Sequence, residues 1–291
     1  MKNIKMLISL IILSTCINAL AQTYNELIKL NKSSVDVFYS AGHYDRAISV
    51  ANRCESAIEY VNNLIDFRPK ISILVLNPED WKKHATFPVY GMPHYLDSKT
   101  LVVASEDNDF WKSFIPPLDK LPSDLADKIR KAYSKTDGTL SMMAFFDLLA
   151  IHELGHGFHE QGGLIMNRLW MQELFCNIML HTYIAENEPK NILSLEVFPE
   201  MVVSAGTAGY KFTSLADFEK LYDNMDPKNY GWYQCRLHVA SKKIYEAGGS
   251  SILVKLWKSL KENKKILSDE EFASFLNNEV HKEVAKIQTE W

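Results

Sequence analysis

Between Leu140 and Phe158 the chain carries Met142, Met143, Ala144, Phe145, Phe146, Leu148, Leu149, Ile151 and Leu154, which put apolar side chains on nearly every side of a helix. A helix that is apolar all round is a buried one. The same segment holds His152, Glu153 and His156. Burying three ionisable groups costs several kcal/mol unless something compensates them, and a metal ion is the obvious compensator.

His152-Glu153-Leu154-Gly155-His156 reads HExxH. On a helix the two histidines stand about 40° apart in azimuth and roughly 6 Å apart in rise, so both imidazoles reach one ion. Glu153 points about 100° away from His152, a direction suited to touching a water at that ion rather than binding it. With nine histidines in the chain, the motif is expected by chance on the order of 0.02 times. The bland alternative is a pair of satisfied core histidines on a structural helix.

A catalytic zinc needs a third protein ligand and an open position. A metzincin would carry Gly three residues and His six residues after the second His, where this chain has His159 and Gly162. That spacing is excluded. A Glu on a following helix remains. Glu173 is a charge set among Leu169, Trp170, Leu174, Phe175, Ile178 and Met179, on a helix that Asn167 is placed to cap. A charge in that setting needs a partner, and zinc supplies one. Asn177, four residues on and on the same face, either accepts the second N–H of a ligand His or is solvated.

The HExxH motif followed by a helix reading Trp170-Met171-Gln172-Glu173-Leu174-Phe175-Cys176-Asn177 resembles the gluzincin metallopeptidases, especially small bacterial peptidase-MA-like proteins. The resemblance implies one Zn2+ ion held by His152, His156 and Glu173, with Glu153 as catalytic base and a peptide or protein as substrate. It covers Ile71 to Ser105 and, more loosely, Asn229 to Leu260. It also implies an edge strand beside the active-site helix that pairs with extended substrate, matched here by Thr100 to Ala104. An edge strand that merely closes the sheet is the alternative. The Gly-x-Met-Glu-Asn segment of the aminopeptidase subgroup is missing, which argues against N-terminal exopeptidase action. Such enzymes add a Tyr or His donor for the oxyanion from a later helix. Tyr230, Tyr233 and His238 are the candidates, and Tyr233 is favoured because it shares a face with Leu237, Ala240 and Ile244.

The other candidates read more plainly. His159 fits a solvated histidine near the helix end at Gly162-Gly163, and His43, His84, His94, His181 and His281 show no ligand spacing. Cys176 lies beside the motif without a nucleophile's context. Cys54 belongs to the apolar stripe Ala47, Ala51, Cys54, Ile58, Val61, Ile65 and reads as core. With Cys176 and Cys235 it makes an odd number in the mature chain, so no disulfide framework is expected.

Lys2 and Lys5, the apolar stretch from Met6 to Leu13 and the pattern Ala19-Leu20-Ala21 form a secretory signal over residues 1–21, with cleavage expected before Gln22 and a periplasmic or extracellular destination. Acylation at Cys16 fits less well, because Thr15 stands before the cysteine. No later stretch reaches the roughly 18 apolar residues of a membrane span. The net charge of −4 is spread along the chain, which argues against a nucleic-acid partner.

The pattern from Tyr24 to Phe67 predicts helix with a break near Ser40-Ala41-Gly42. Ile71 to Leu76 and Thr100 to Ala104 read as strands, Phe87 to Tyr95 as loop, and Glu106 to Lys135 as a polar insertion with a short helix up to Tyr133. From Leu140 everything reads as helix, loop, helix. The expected fold is α+β: a small mixed sheet with an edge strand packed on a buried HExxH helix, then a mainly helical lobe. Residues 22–160 would hold the first helix, the sheet and the active-site helix, and residues 161–291 the lobe carrying the third ligand. Three functions remain open: a zinc metallopeptidase, an exported binding protein that kept the metal but lost catalysis, and a zinc hydrolase of a non-peptide amide.

Overall fold

The computed structural model describes residues 24–291 apart from Lys32 and Asn167. The expected leader over residues 1–21, its cleavage point at Gln22, the acylation candidate Cys16 and the capping residue Asn167 lie outside the described residues. The fold is α+β, with a five-stranded mixed sheet and a helical remainder. No helix among the described residues is long and apolar enough to cross a membrane.

The sheet is built from β1 (Ile28–Lys29), β2 (Asp36–Tyr39), β3 (Ser72–Leu76), β4 (His94–Tyr95) and β5 (Thr100–Ala104), in the order β1-β2-β3-β5-β4. β2, β3 and β5 run parallel, and β1 and β4 pair antiparallel on the two outer sides. β3 and β5 are almost wholly buried, as their β-branched, apolar runs require. β5 is not the edge. The chain turns tightly at Asp97, whose carboxylate accepts from the backbone N–H groups of Lys99 and Thr100, so His94 and Tyr95 pair outside Val102 and Leu101. The Phe87–Tyr95 segment is therefore loop only as far as Pro93.

Helix α1 covers Tyr44–Ile65 and buries Ala47, Ala51, Cys54, Ile58 and Val61, the expected stripe. The helical expectation fails upstream of it. Residues 24–39 contain β1 and β2, where Val37 and Tyr39 are buried and Asp36 is exposed, a period of two in β-branched and aromatic residues. The break at Ser40-Ala41-Gly42 thus divides strand from helix, and Gly42 takes the turn with φ of 84°.

Short helices α2 (Pro78–His84) and α3 (Asp109–Ser113) and the longer α4 (Ser123–Tyr133) follow the strands. The apolar segment after Leu140 is two helices rather than one, α5 (Met143–Phe146) and α6 (Leu149–Gln161). Asp147 sits at the junction and accepts two bonds from the Arg46 guanidinium, at 2.8 and 2.6 Å, while Arg46 also donates to the Ala104 carbonyl at 3.3 Å. That pair fixes the start of α6 to α1 and to the end of β5.

Helix α7 (Leu169–Asn187) is buried on nearly every side and packs against both α6 and α10 (Pro227–Gly248). Helices α8 (Ile192–Ser204) and α9 (Leu215–Leu221) come between α7 and α10, and α11 (Ser250–Glu262), α12 (Asp269–Phe275) and α13 (Lys282–Thr289) close the chain. The first N–H groups of α7, at Leu169 and Trp170, donate to the two oxygens of Glu219 on α9 at 3.0 Å each. A carboxylate from another helix therefore caps α7 and meets the positive end of its dipole.

α6 is squeezed between α7 and the sheet, and two glycines permit it. A Cβ on Gly155 would stand 2.8 Å from the Cys176 Cα, and one on Gly157 would stand 2.7 Å from Ile71 Cδ1 and 2.8 Å from the Tyr95 hydroxyl. Gly155→Ala is expected to cost about 1–3 kcal/mol by overpacking against backbone. Gly231→Ala, in open space on α10, is expected to gain about 0.5–1 kcal/mol. Urea denaturation checks both, and an unchanged midpoint for Gly155→Ala would contradict the close crossing.

Candidate metal centre

α6 and α7 cross so that His152 and His156 face Glu173. His152 Nε2 lies 3.1 Å from Glu173 Oε2, and His156 Nε2 lies 3.7 Å from Glu173 Oε1. The opposite ring nitrogens are taken. His152 Nδ1–H donates to Asn177 Oδ1 at 2.9 Å, and His156 Nδ1–H donates to His159 Nε2 at 3.1 Å. Both Nε2 atoms thus face the same carboxylate.

The centre is largely closed to water, with Glu173 only 1% exposed. Burial works to raise the Glu173 carboxyl, but the neighbouring histidines and the bonds from His152 and Tyr222 outweigh it and hold it well below the usual carboxylate range. Burial also works to lower His152, and the Glu173 hydrogen bond and charge overcome it, so this ring is raised. His156 goes the other way, to about 4, because burial exceeds the pull of Glu173. Near neutral pH His156 is therefore uncharged. Burial pushes Glu153 up to about 8, with His152 pulling it partly back and Glu173 adding to the rise.

The donor set is of the kind zinc takes, two imidazole nitrogens facing one carboxylate, but the 3.1 and 3.7 Å separations run to different oxygens of Glu173, and the ligand atoms here that all lie within 4.8 Å of one another are those of His152, His156 and Cys176.

Cys176 competes for the third place, since it can bring a ligand atom within 4.8 Å of those of His152 and His156. Charge and packing favour Glu173. The Cys176 thiol is pushed well above its ordinary range by burial and by Glu173 and Glu153, so forming a thiolate there would bring another negative charge beside two carboxylates. Cys176 also packs directly against Gly155. Cys54, Cys176 and Cys235 are all buried and free.

The structure brings together His152, Glu153, His156 and Glu173, but not Tyr233. The Tyr233 hydroxyl donates to the Ser214 carbonyl at 2.8 Å, and its ring is fully buried. The neighbouring face of α10 reaches the centre instead. Gln234 Nε2 donates to Glu173 Oε2 at 2.7 Å and to the Tyr230 hydroxyl at 2.8 Å, and Gln234 Oε1 accepts from Asn177 Nδ2 at 3.1 Å. The Tyr222 hydroxyl, on the 3-10 turn after α9, donates to Glu173 Oε1. His238 lies one turn beyond Gln234, with its ring centroid 6.4 Å from that of His152, and is lowered to about 3 by burial. His159 is buried against His156 rather than solvated, because α6 continues to Gln161 with this face turned inward. Gln234 had one sequence signal, its i+4 spacing from Tyr230, whereas Tyr222 lies in a short turn with no periodicity to mark it.

Comparison with protein-family models, with curated proteins and with solved structures returns no match.

Glu173→Ala is expected to weaken Zn2+ binding at least 100-fold and Cys176→Ala to change it less than threefold, on the order of losing a ligand against losing a neighbour. Competition with a chromogenic chelator reads both, and the reverse ranking would make Cys176 the ligand. A pH effect follows as well. His159 and His238 are both lowered to about 3 in the folded chain from 6.5, so the unfolded chain binds more protons below pH 6.5. The stability they contribute is present above pH 6.5 and is lost as the pH falls toward 3. The urea midpoint of the metal-free protein should fall from pH 6.5 to 4, and His238→Leu should flatten that slope. An equal slope in the variant would mean that His238 is not held neutral by the fold.

Proposed function

We propose that the chain is an exported zinc metallopeptidase of the gluzincin kind, cleaving peptide bonds. The observation that carries this reading is the convergence of two Nε2 atoms, each with its Nδ1 already engaged, on one buried carboxylate. Structural histidines have no need of that shared focus.

A zinc ion bound there would lower the pKa of a water to about 7 and polarise a carbonyl. Glu153 does the proton work. It lies on α6 next to His152, makes no side-chain hydrogen bond among those described, and has a carboxyl lifted toward neutrality, the range that suits a general base. It would take the proton as the nucleophile attacks and deliver it to the leaving amine. Negative charge that develops on the carbonyl oxygen needs a donor. Tyr230 replaces Tyr233 in that role, because its hydroxyl is on the metal side of α10 and feels both Glu173 and Glu153. β4, the outermost strand on the α6 side, takes over from β5 as the edge that an extended peptide would meet.

A second reading has one observation in its favour. With His152 6% and Glu173 1% exposed, the centre is closed enough to suit a zinc-binding protein without turnover. Glu153→Gln separates the two. It should bind Zn2+ as tightly as the unaltered chain while peptide cleavage falls by about 10²–10⁴-fold, the usual worth of a general base. Mass spectrometry of a diverse peptide library incubated with each protein is the measurement. Zinc uptake with no cleavage by the unaltered chain would favour the binding protein.

A further inference from the structure

We infer that Gln234 is a positioning residue that locks the metal ligands and the Tyr230 hydroxyl into one arrangement; this rests on the metallopeptidase reading above. A glutamine amide has two N–H donors on nitrogen and an acceptor oxygen. In Gln234 both N–H groups are used, one on Glu173 Oε2 at 2.7 Å and one on the Tyr230 oxygen at 2.8 Å, and the oxygen accepts from Asn177 Nδ2 at 3.1 Å. The amide cannot turn over, since that would set its oxygen against the Glu173 carboxylate.

The bonds close a ring. His152 donates to Asn177, Asn177 donates to Gln234, Gln234 donates to Glu173, and Glu173 faces His152 Nε2. One side chain on α10 thus ties the tautomer of a histidine on α6 to the orientation of a carboxylate on α7. The same amide also holds a third group: its other N–H donates to the Tyr230 oxygen, so the Tyr230 hydroxyl is anchored beside Glu173 by the residue that bonds that carboxylate.

The position of Gln234 is as specific as its chemistry. It lies one helical turn from Tyr230, with its carbonyl and amide ends reaching opposite groups, so a shorter amide cannot span them. Asn in its place would be short by one methylene, and Met would keep the length but lose every bond.

The test uses the full chain with Gln234→Met, Gln234→Asn, Tyr230→Phe and the Gln234→Met/Tyr230→Phe double variant, each checked for folding by its thermal melt. Zn2+ affinity is read by chelator competition, the visible spectrum of the Co2+-loaded protein reports ligand geometry, and kcat is measured at saturating Zn2+ on a peptide cleaved from the library. Both Gln234 variants should bind Zn2+ about 10–100-fold more weakly and shift the Co2+ bands, while Tyr230→Phe should do neither. Tyr230→Phe should lower kcat by about 10²-fold or more, and Gln234→Met should cost less kcat in the Tyr230→Phe background than in the unaltered chain. Folded Gln234 variants with unaltered Zn2+ affinity and Co2+ spectrum, or kcat losses that multiply in the double variant, overturn the inference. If the unaltered chain binds Zn2+ in a Gln234-dependent way but cuts no peptide, the peptidase reading falls and the ligand-positioning part stands. A chain that takes up no Zn2+ overturns both.

Discussion

The ionised carboxylate of Glu173 is the charge on which the helical half of the molecule depends. Left alone in the interior it would cost several kcal/mol. Donors reach it from three sides, His152 from α6, Gln234 from α10 and Tyr222 from the turn after α9, and His156 faces it from α6. Helix α7 supplies the carboxylate itself, and its own N-terminus is held by Glu219 of α9, three residues before Tyr222. The position of α9 is thus set twice, once at the helix dipole and once at the buried charge.

This arrangement explains why α7 can be buried almost throughout while carrying polar residues. Glu173, Asn177 and His181 recur at steps of four and form one polar stripe along an otherwise apolar helix. Each has a partner from a neighbouring helix: Glu173 and Asn177 in the ring around His152, His181 through Nε2 to Glu196 on α8 at 3.1 Å. Glu196 is in turn bonded by Lys242 on α10 at 2.6 Å. The stripe therefore sets the register between α7, α8 and α10, because sliding a helix by one turn would leave buried charges without partners.

How far the sequence revealed this depends on the kind of signal each residue carries. The HExxH helix and Glu173 were legible because ionisable residues in apolar runs are costly, so they advertise a partner. β3 and β5 were legible as apolar, β-branched runs, whereas β1 and β2 were masked by their nearness to the long pattern of α1. Tyr233 attracted attention because it lies on the apolar stripe with Leu237 and Ile244, and the structure buries that stripe. Burial and the centre are on different faces of α10, however, and the face with Tyr230, Gln234 and His238 is too polar to stand out by hydrophobic period. Tyr222 and Glu219 act through tertiary contacts made from a short helix and turn, which no local pattern encodes. The glycines of α6 had a similar fate: HExxH leaves its middle positions free, and only the crossing with Cys176 shows why Gly155 stands there.

The two carboxylates of the centre show how one helix crossing gives like groups unlike chemistry. Glu173 faces two histidines and several donors and is driven well below the ordinary range, while Glu153 lacks such donors and is driven up to about 8 by burial. A group held ionised is suited to binding a cation, and a group poised near neutrality is suited to moving a proton. Neither role could be exchanged by swapping residue types, because both are glutamates. The difference lies in azimuth: Glu153 sits next to His152 on α6 but turned from the α7 face, whereas Glu173 points from α7 into the space between the two histidines. The same reasoning gives the centre its coupling to the fold. Hydrogen bonds from His152, Gln234 and Tyr222 offset the buried charge without metal, and a divalent ion would balance it more fully, so metal uptake should stabilise the contacts among α6, α7, α9 and α10 together rather than any one of them.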